Sequence, residues 1–333
     1  MKNKSILLSW SISYLVILLI PIATFIAVYT ETRSLLQEEV NRSNMALLAQ
    51  VQESIDSQIR DISSIGSQLM ADSQLTSFIN NAAVQDVRWR LMALELIKNF
   101  NSTRVGNGLI RDLYVYIKDT DIAVSSNSLI RKQFLYDIYY EGSGMTQAEW
   151  ATLMEKTGEG VFRKMDVRSE SQRIEETLVY LQSFPFAGAA DSPATLVITL
   201  DPDRFQQAID NVRLDEESTV FILDPEGKPL FTTRDYAAPS TLTTYLEQNK
   251  AAGRKTGTAK WNGESVTVSQ ISSKLQNWQY VSIIPTRIYA KKLVAIRSIT
   301  FAGVVAGLML GGIAAWWFTR RNYKPIGRIM TII

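Results

Sequence analysis

Apolar side chains are unevenly spread along this chain. They form two unbroken runs near its ends, Ser5 to Tyr29 and Ser298 to Thr319, neither of which contains a charge. At about 1.5 Å of rise per residue, each run can cross a hydrocarbon core of roughly 30 Å as a helix. The first run is longer than the roughly 7 to 15 residue core of a signal peptide, and no small-x-small cleavage pattern follows it, so an uncleaved anchor is expected. Trp10, Tyr14, Tyr29, Trp316 and Trp317 lie near the ends of the runs, where amphipathic rings favour a headgroup layer.

Between the runs the apolar positions become periodic. From Glu31 to Met70, Leu48, Val51, Ile55, Ile59, Ile62, Ile65 and Leu69 recur at steps of three and four, which predicts one long helix with a single seam. Such a stripe can pack on the protein's own domain or on a second copy, and the pattern admits both. A second helix is predicted over Val84 to Phe100, carrying Trp89, Leu91, Met92, Leu94, Leu96 and Ile97. The period then shortens to that of strands, at Leu113 to Ile117 and Ile122 to Ser125 around a polar turn, and at Gly160 to Val167, Thr177 to Phe186 and Thr195 to Leu200. Met145 to Glu155 reads as a helix opened by a capping box of Thr146 and Glu149.

The order then repeats on a smaller scale. A helix over Pro202 to Val212 leads to a hairpin of Ser218 to Leu223 and Lys228 to Thr233 around Asp224-Pro225-Glu226-Gly227, whose Pro and Gly favour a turn. Leu242 to Gln248 is a short helix, and strands follow at Thr256 to Trp261, Ser265 to Ile271 and Trp278 to Ile284. Asn262-Gly263 between the first two is a strong hairpin signal. Pro285 to Arg297 is predicted to run as a helix into the second apolar segment.

Charge fixes an expected orientation. Lys2 and Lys4 precede the first run; Arg320, Arg321, Lys324 and Arg328 follow the second, with no acidic residue in either tail. The positive-inside rule then places both termini in the cytoplasm and the central region outside the cell membrane. Six of the 35 cations lie in the tails, which leaves 29 against all 33 acidic residues and a balance of −4 for that region. A surface binding nucleic acid needs a concentrated basic patch, and none is evident. The chain has no Cys and no His, which removes disulfides, thiolate nucleophiles, Ser-His-Asp catalysis and His-ligated zinc. No Asp and Glu stand out as a catalytic pair, so the expectation is a protein without enzymatic activity, cofactor or metal.

The succession of anchor, long helix, larger sheet module, smaller sheet module and second anchor resembles the double Cache family of extracytoplasmic sensors. RDLYVYIKDTDIAVSS, ATLVITLDPDRF, STVFILDPEGKPLFTT and NWQYVSIIPTR are similar to the strands, hairpins and module-ending helices of that family. The resemblance covers about residues 1 to 320. It implies an α+β fold of two transmembrane helices flanking a long stalk helix and two tandem PAS-like antiparallel-sheet modules. The corresponding divisions are 1–29 (tail and first span), 30–83 (stalk), 84–203 (membrane-distal module), 204–297 (membrane-proximal module), 298–319 (second span) and 320–333 (cytoplasmic). In that family the distal module usually holds a small ligand and the proximal one relays the change.

The final stretch, RRNYKPIGRIMTII, resembles the start of a HAMP relay, with Pro325-Ile326 where its first helix begins, and also the junction in membrane-bound AraC-type transcription regulators. Some 14 residues are too few for an output domain, so a longer receptor or a separate partner is expected. A histidine kinase with a HAMP relay and a non-sensing membrane-anchored assembly protein are the alternatives.

The Arg and Trp-Tyr spacing of the family's amino-acid sensors is not reproduced here. Arg131, Tyr136, Tyr139, Tyr140 and Trp150 occupy the corresponding stretch and are the ligand candidates, followed by Asp166 and Tyr180 on later strands. Aromatic walls with one cation suit a sugar, an organic acid or a small peptide, and the same residues equally suit core packing. In the second apolar run Gly303, Gly307, Gly311 and Ala315 fall at steps of four, the small-residue spacing of a seam between two copies in lipid. The expected partners are therefore a small molecule, the bilayer and a second copy of the chain.

Overall fold

The computed structural model describes residues 2–317 except 83, 157, 159, 170, 185–191, 211–217, 234–239, 252–253, 262, 288–293, 295–296 and 314–315, with the backbone alone over 2–18, at 20 and 21 and at a few other helix positions. A single helix, α1 (Lys2–Met70), opens the chain. Its seam faces inward: Leu48, Val51, Ile55, Ile59, Ile62 and Leu69 are buried in the protein's own core, and Ile65 packs against them. Of the two uses that the stripe admits, packing on its own domain is the one observed.

Two capped helices follow. Asp72 accepts from the N–H of Gln74 at 2.8 Å to start α2 (Ser73–Asn80), and Asp86 accepts from that of Trp89 at 2.7 Å to start α3 (Val87–Gly106). Each satisfies a backbone donor that the first helical turn leaves unpaired. The sequence pattern showed only the second of these, because eight residues span too few turns to establish a period. The indole of Trp89 stacks on Phe78 at 4.5 Å and donates to the Phe78 carbonyl, which locks the two helices together.

Strands β1 (Ile110–Ile117), β2 (Ile122–Ser125), β3 (Leu129–Arg131), β4 (Val161–Arg168), β5 (Ile174–Phe184) and β6 (Ala194–Leu200) form a sheet in the order β3-β2-β1-β6-β5-β4. Every neighbouring pair is antiparallel. Helices α4 (Lys132–Tyr139) and α5 (Gln147–Lys156) lie between β3 and β4 in the chain. Because strand side chains alternate, one face of the sheet packs on α1 to α3 through Leu113, Val115, Ile117, Leu178, Leu196 and Ile198. The other packs on α4 and α5 through Tyr114, Tyr116, Met165, Val179, Leu181 and Val197.

A register shift between Ile110 and Asp112 breaks this alternation. Ile110 remains in the first core while Asp112 joins the face of Tyr114, so one extra residue, Arg111, re-aims the strand. Tyr180 shows how closely α1 approaches the sheet. A Cβ at Gly66 would sit 2.6 Å from the Tyr180 ring, so only glycine fits at that turn of the helix.

The remaining elements are α6 (Pro202–Asp210), β7 (Thr219–Leu223), β8 (Pro229–Thr232), α7 (Ser240–Ala251), β9 (Thr256–Trp261), β10 (Glu264–Ser272) and β11 (Gln279–Pro285), with a five-stranded sheet in the order β8-β7-β11-β10-β9. The β7–β8 turn is closed by Asp224, whose Oδ1 accepts from the N–H of Lys228 at 2.7 Å, with Gly227 at φ +80°. Gly263 between β9 and β10 also has φ +80°, while Asn262 lies outside the described residues.

The chain divides into two compact units, one of Leu47–Lys255 with Gln270–Ser282, the other of Met1–Ala46, Thr256–Ser269 and Ile283–Ile333. Within the first, Asp56 of α1 is fully buried and accepts from Ser273 Oγ at 2.7 Å, Tyr280 Oη at 2.8 Å and the Lys274 N–H at 2.9 Å. Within the second, Asn44 Nδ2 donates to Ser269 Oγ at 2.8 Å.

Among the described residues no helix is long and apolar enough to cross a membrane. Most side chains of the Ser5 to Tyr29 run, most of the Pro285 to Arg297 connection and all of residues 320–333 lie outside them. Residues 297–313 are helical. Gly303 and Gly307 have open space where a Cβ would stand; Ala315 lies outside the described residues.

Candidate functional site

The face of the six-stranded sheet that meets α4 and α5 carries most of the aromatic hydroxyls of the larger unit. Helix α5 begins at the predicted capping box: Thr146 N–H donates to Glu149 Oε2 at 2.8 Å and Glu149 N–H to Thr146 Oγ1 at 3.3 Å. These bonds, the backbone one first, hold the Glu149 carboxyl below the usual range. Between the helices Gly142 and Gly144 adopt φ of +87° and +79°, and Tyr136 Oη donates to the Met145 carbonyl at 2.5 Å. The turn thereby seats Trp150 over the sheet.

Around Trp150 the rings of Tyr116, Tyr136 and Tyr140 gather at 5.6, 6.2 and 6.0 Å between centroids. Tyr139 stacks on Tyr114 at 5.1 Å, and the hydroxyls of Tyr114 and Tyr140 share a 3.0 Å hydrogen bond. Asp112, on the same face as Tyr114 by strand alternation, accepts from Tyr139 Oη at 2.5 Å and from Ser126 Oγ at 2.7 Å. Thr199 lies opposite Asp112 on β6 and keeps a buried hydroxyl without a partner.

Burial dominates the acid-base behaviour of this cluster. It pushes the Tyr140 hydroxyl up to about 12, with the Tyr114 bond pulling the other way. Burial also raises Tyr139, reinforced by the Asp112 charge, and raises Tyr114, reinforced by Tyr140. These hydroxyls therefore stay protonated at neutral pH and act as donors. The Trp150 Nε1 is buried and makes no hydrogen bond of normal geometry, although it lies near enough to the Tyr114 hydroxyl to oppose part of its shift.

A lysine borders the cluster. Lys132 Nζ sits 4.2 Å from the centre of the Tyr116 ring and donates to the Lys118 carbonyl. Burial lowers its pKa, and Glu155, Asp119 and Asp121 oppose that shift. A cleft of about 630 Å³ opens beside α5, lined among others by Glu149 and Arg163. Met145, Leu153 and Val161 line it and also pack against the aromatic cluster. Its size is that of a small-molecule site.

Of the seven residues singled out by sequence, Tyr136, Tyr139, Tyr140 and Trp150 come together here. Arg131, Asp166 and Tyr180 do not, for one shared reason. Each stands on a strand next to a residue that faces the cluster: Arg131 after Ile130, Asp166 between Met165 and Val167, Tyr180 between Val179 and Leu181. Alternation turns them to the opposite face, where Arg131 and Asp166 are exposed and Tyr180 packs on Phe162. Two cations do reach the aromatic face: Lys132, one residue beyond Arg131, and Arg163, which stands on β4 between Val161 and Met165 and lines the cleft. Asp112, Tyr114 and Tyr116 were missed, although the alternation of RDLYVYI sets all three on one face.

Chemically the site offers hydroxyl donors, the cations Lys132 and Arg163, and aromatic walls. Among the described residues no group of three or more acidic side chains could hold a metal ion.

No family model matches the sequence, and no curated protein sequence matches it. The fold is shared with solved structures. The sensory domain of the Campylobacter jejuni chemoreceptor Tlp3 with isoleucine bound has a TM-score of 0.53 at 12% identity, over 77% of this chain and 96% of that one. The ligand-binding domain of the same receptor in complex with L-valine has a TM-score of 0.53 at 11% identity, over 77% and 96%. Its sensory domain in a further structure has a TM-score of 0.51 at 12% identity, over 77% and 97%. At these identities the likeness is one of fold.

Proposed function

We propose that this protein senses a small extracytoplasmic solute with the α4–α5 side of its six-stranded sheet and passes the signal across a membrane, without catalysis of its own. The observation that carries the reading is Trp150: a buried indole N–H with no well-formed hydrogen bond, inside an aromatic cluster that adjoins a cleft of about 630 Å³. A buried donor left unpaired costs about 1 to 3 kcal/mol, which a ligand acceptor recovers on binding. The indole donor, the protonated tyrosines and Lys132 together favour an acceptor-bearing solute such as an organic acid, a sugar, an amino acid or a short peptide. The likeness to a sensory domain described with isoleucine and L-valine bound supports the same reading.

The two charge-free runs and their basic flanks support two spans, with both termini in the cytoplasm and the central region outside. The tail sequence supports an output of the AraC-type transcription regulator kind, with a HAMP-linked histidine kinase as the other candidate. Gly303, Gly307, Gly311 and Ala315 would form a seam between two copies inside the bilayer.

Thermal unfolding of the full chain in detergent, against a panel of organic acids, sugars, amino acids and short peptides, tests the proposal. A solute at 100 times its Kd adds about 2.7 kcal/mol of stability and raises the melting temperature. Trp150→Phe is expected to abolish that rise while leaving the solute-free melting point nearly in place. If no solute raises the melting point, or if the rise survives in Trp150→Phe, the site is wrongly assigned.

A further inference from the structure

Helix α3 has two apolar faces, and the protein covers one. Trp89, Ala93, Leu96 and Phe100 are buried at steps of four, three and four. On the opposite side Val87, Leu91 and Leu94 recur at the same steps and are 75%, 58% and 64% exposed, with Val105 continuing the line at 71%. At about 100° per residue the centres of the two stripes lie almost diametrically apart. A soluble surface rarely gathers so many large apolar side chains in one row without a partner.

We propose that this outer stripe of α3 is the contact between two copies of the chain, as a short parallel two-stranded coil. Written as a heptad, Val87 and Leu94 take the d positions, and Leu91, Lys98 and Val105 the a positions. Arg90 then falls at g and Glu95 at the following e. In a parallel pair, g of one helix faces the e five residues on in its partner, so Arg90 meets Glu95 of the second copy, and by symmetry the contact is made twice. In an antiparallel pair g faces g, and the two Arg90 side chains would be brought together instead. The charges thus select both a second copy as occupant and its direction. Lys98 at an a position and Asn101 at the next d are polar core residues, which fix register at some cost in stability.

Among the described residues Glu95 accepts a 3.2 Å bond from Gln74 Nε2 at an exposed site, which leaves its carboxylate accessible. The long seam of α1 is consumed by the protein's own core, so it does not compete for this role. A coil of under three heptads buries little area and is weak between free molecules. Confinement of two copies to one membrane raises their effective concentration and offsets that weakness. The inference needs no ligand, and it rests on the proposed function only for the two spans that confine the copies.

The absence of cysteine from the chain makes the test direct. Single variants Leu91→Cys and Leu94→Cys, with Asp137→Cys on the exposed side of α4 as control, are oxidised in the full chain reconstituted in lipid vesicles. Disulfide-linked dimers are expected to form much faster at positions 91 and 94 than at 137. Adding Arg90→Glu should slow the Leu91→Cys reaction about fivefold through two like-charge contacts, and adding Glu95→Arg to that variant should restore it. The melting point of each variant, expected to match that of the parent, checks that the fold is intact. Equal rates at 91 and 137, or a rate indifferent to the charge reversals, would overturn the proposal. So would linkage of position 91 only to 94 in a mixed sample, which is the antiparallel outcome.

Discussion

Towards α1, α2 and α3 the six-stranded sheet presents Leu113, Val115, Ile117, Leu196 and Ile198; towards α4 and α5 it presents Asp112, Tyr114, Tyr116 and Val197 with the rings of Tyr139, Tyr140 and Trp150. Both faces are buried, yet they are held by different means. The first is stabilised mainly by apolar area and tight packing, which have no preferred direction, with the Tyr180 hydroxyl, which donates to Gln182 Oε1 at 2.8 Å, as a titratable group among them. The second adds a chain of hydroxyl and carboxylate contacts whose strength depends on geometry and on where each proton sits. A face of the second kind can exchange its internal partners for those of a ligand. A face of the first kind can only be filled or emptied.

Several substitutions would separate the two. Phe100→Ala empties space in the first core and is expected to cost about 3 to 5 kcal/mol by urea unfolding, with no change in the pH profile. Asp112→Ala strips the acceptor from Tyr139 and Ser126 and is expected to cost about 1 to 3 kcal/mol, with Asp112→Asn costing less. Tyr140→Phe leaves the Tyr114 hydroxyl unpaired, for about 1 kcal/mol at neutral pH. A Tyr114→Phe, Tyr140→Phe double-mutant cycle should then show coupling, because each single change already breaks the shared bond. If Asp112→Ala and Phe100→Ala cost the same and neither alters the pH profile, the two faces do not differ as described.

The pH dependence has a definite sign. Tyr140 is raised from its ordinary value of 10.0 to about 12, so above pH 10 the unfolded chain releases a proton that the folded one keeps. Stability contributed in this way is complete below pH 10 and is lost as the pH rises towards 12, at up to about 1.4 kcal/mol per pH unit for each such tyrosine. Tyr114 and Tyr139 act in the same direction. Tyr140→Phe should therefore flatten the alkaline limb of the stability curve; an unchanged limb would show that this hydroxyl titrates normally in the folded state.

The sequence made the elements legible where period and turn chemistry agreed. The seam from Leu48 to Leu69, the Thr146 and Glu149 box and the Asp224 to Gly227 turn are local, and the structure contains each of them. The aromatic face was half legible. Tyr136, Tyr139, Tyr140 and Trp150 were found because they cluster in one connecting stretch. Arg131, Asp166 and Tyr180 were misplaced because strand residues one apart point to opposite faces, and a strand's parity is set by tertiary packing. Asp112 shares the parity of Tyr114 and Tyr116, and the bulge at Arg111 changes the face of Ile110 instead; which of the two faces meets the aromatic cluster is set by tertiary packing. The outer stripe of α3 was visible as Leu91 and Leu94 among other apolar residues, but its exposure required the fold.

Asp56 has a mechanical consequence. Its two oxygens grip Ser273, Lys274 and Tyr280 at once, and the neighbouring Gln52 donates to the Ser272 carbonyl at 3.0 Å. Slippage of α1 past the β10–β11 loop by a single residue would rotate that carboxylate about 100° away and sever the whole set together. The helix and the loop are consequently keyed like a shaft and its collar, and any movement imposed on one is transmitted to the other without play.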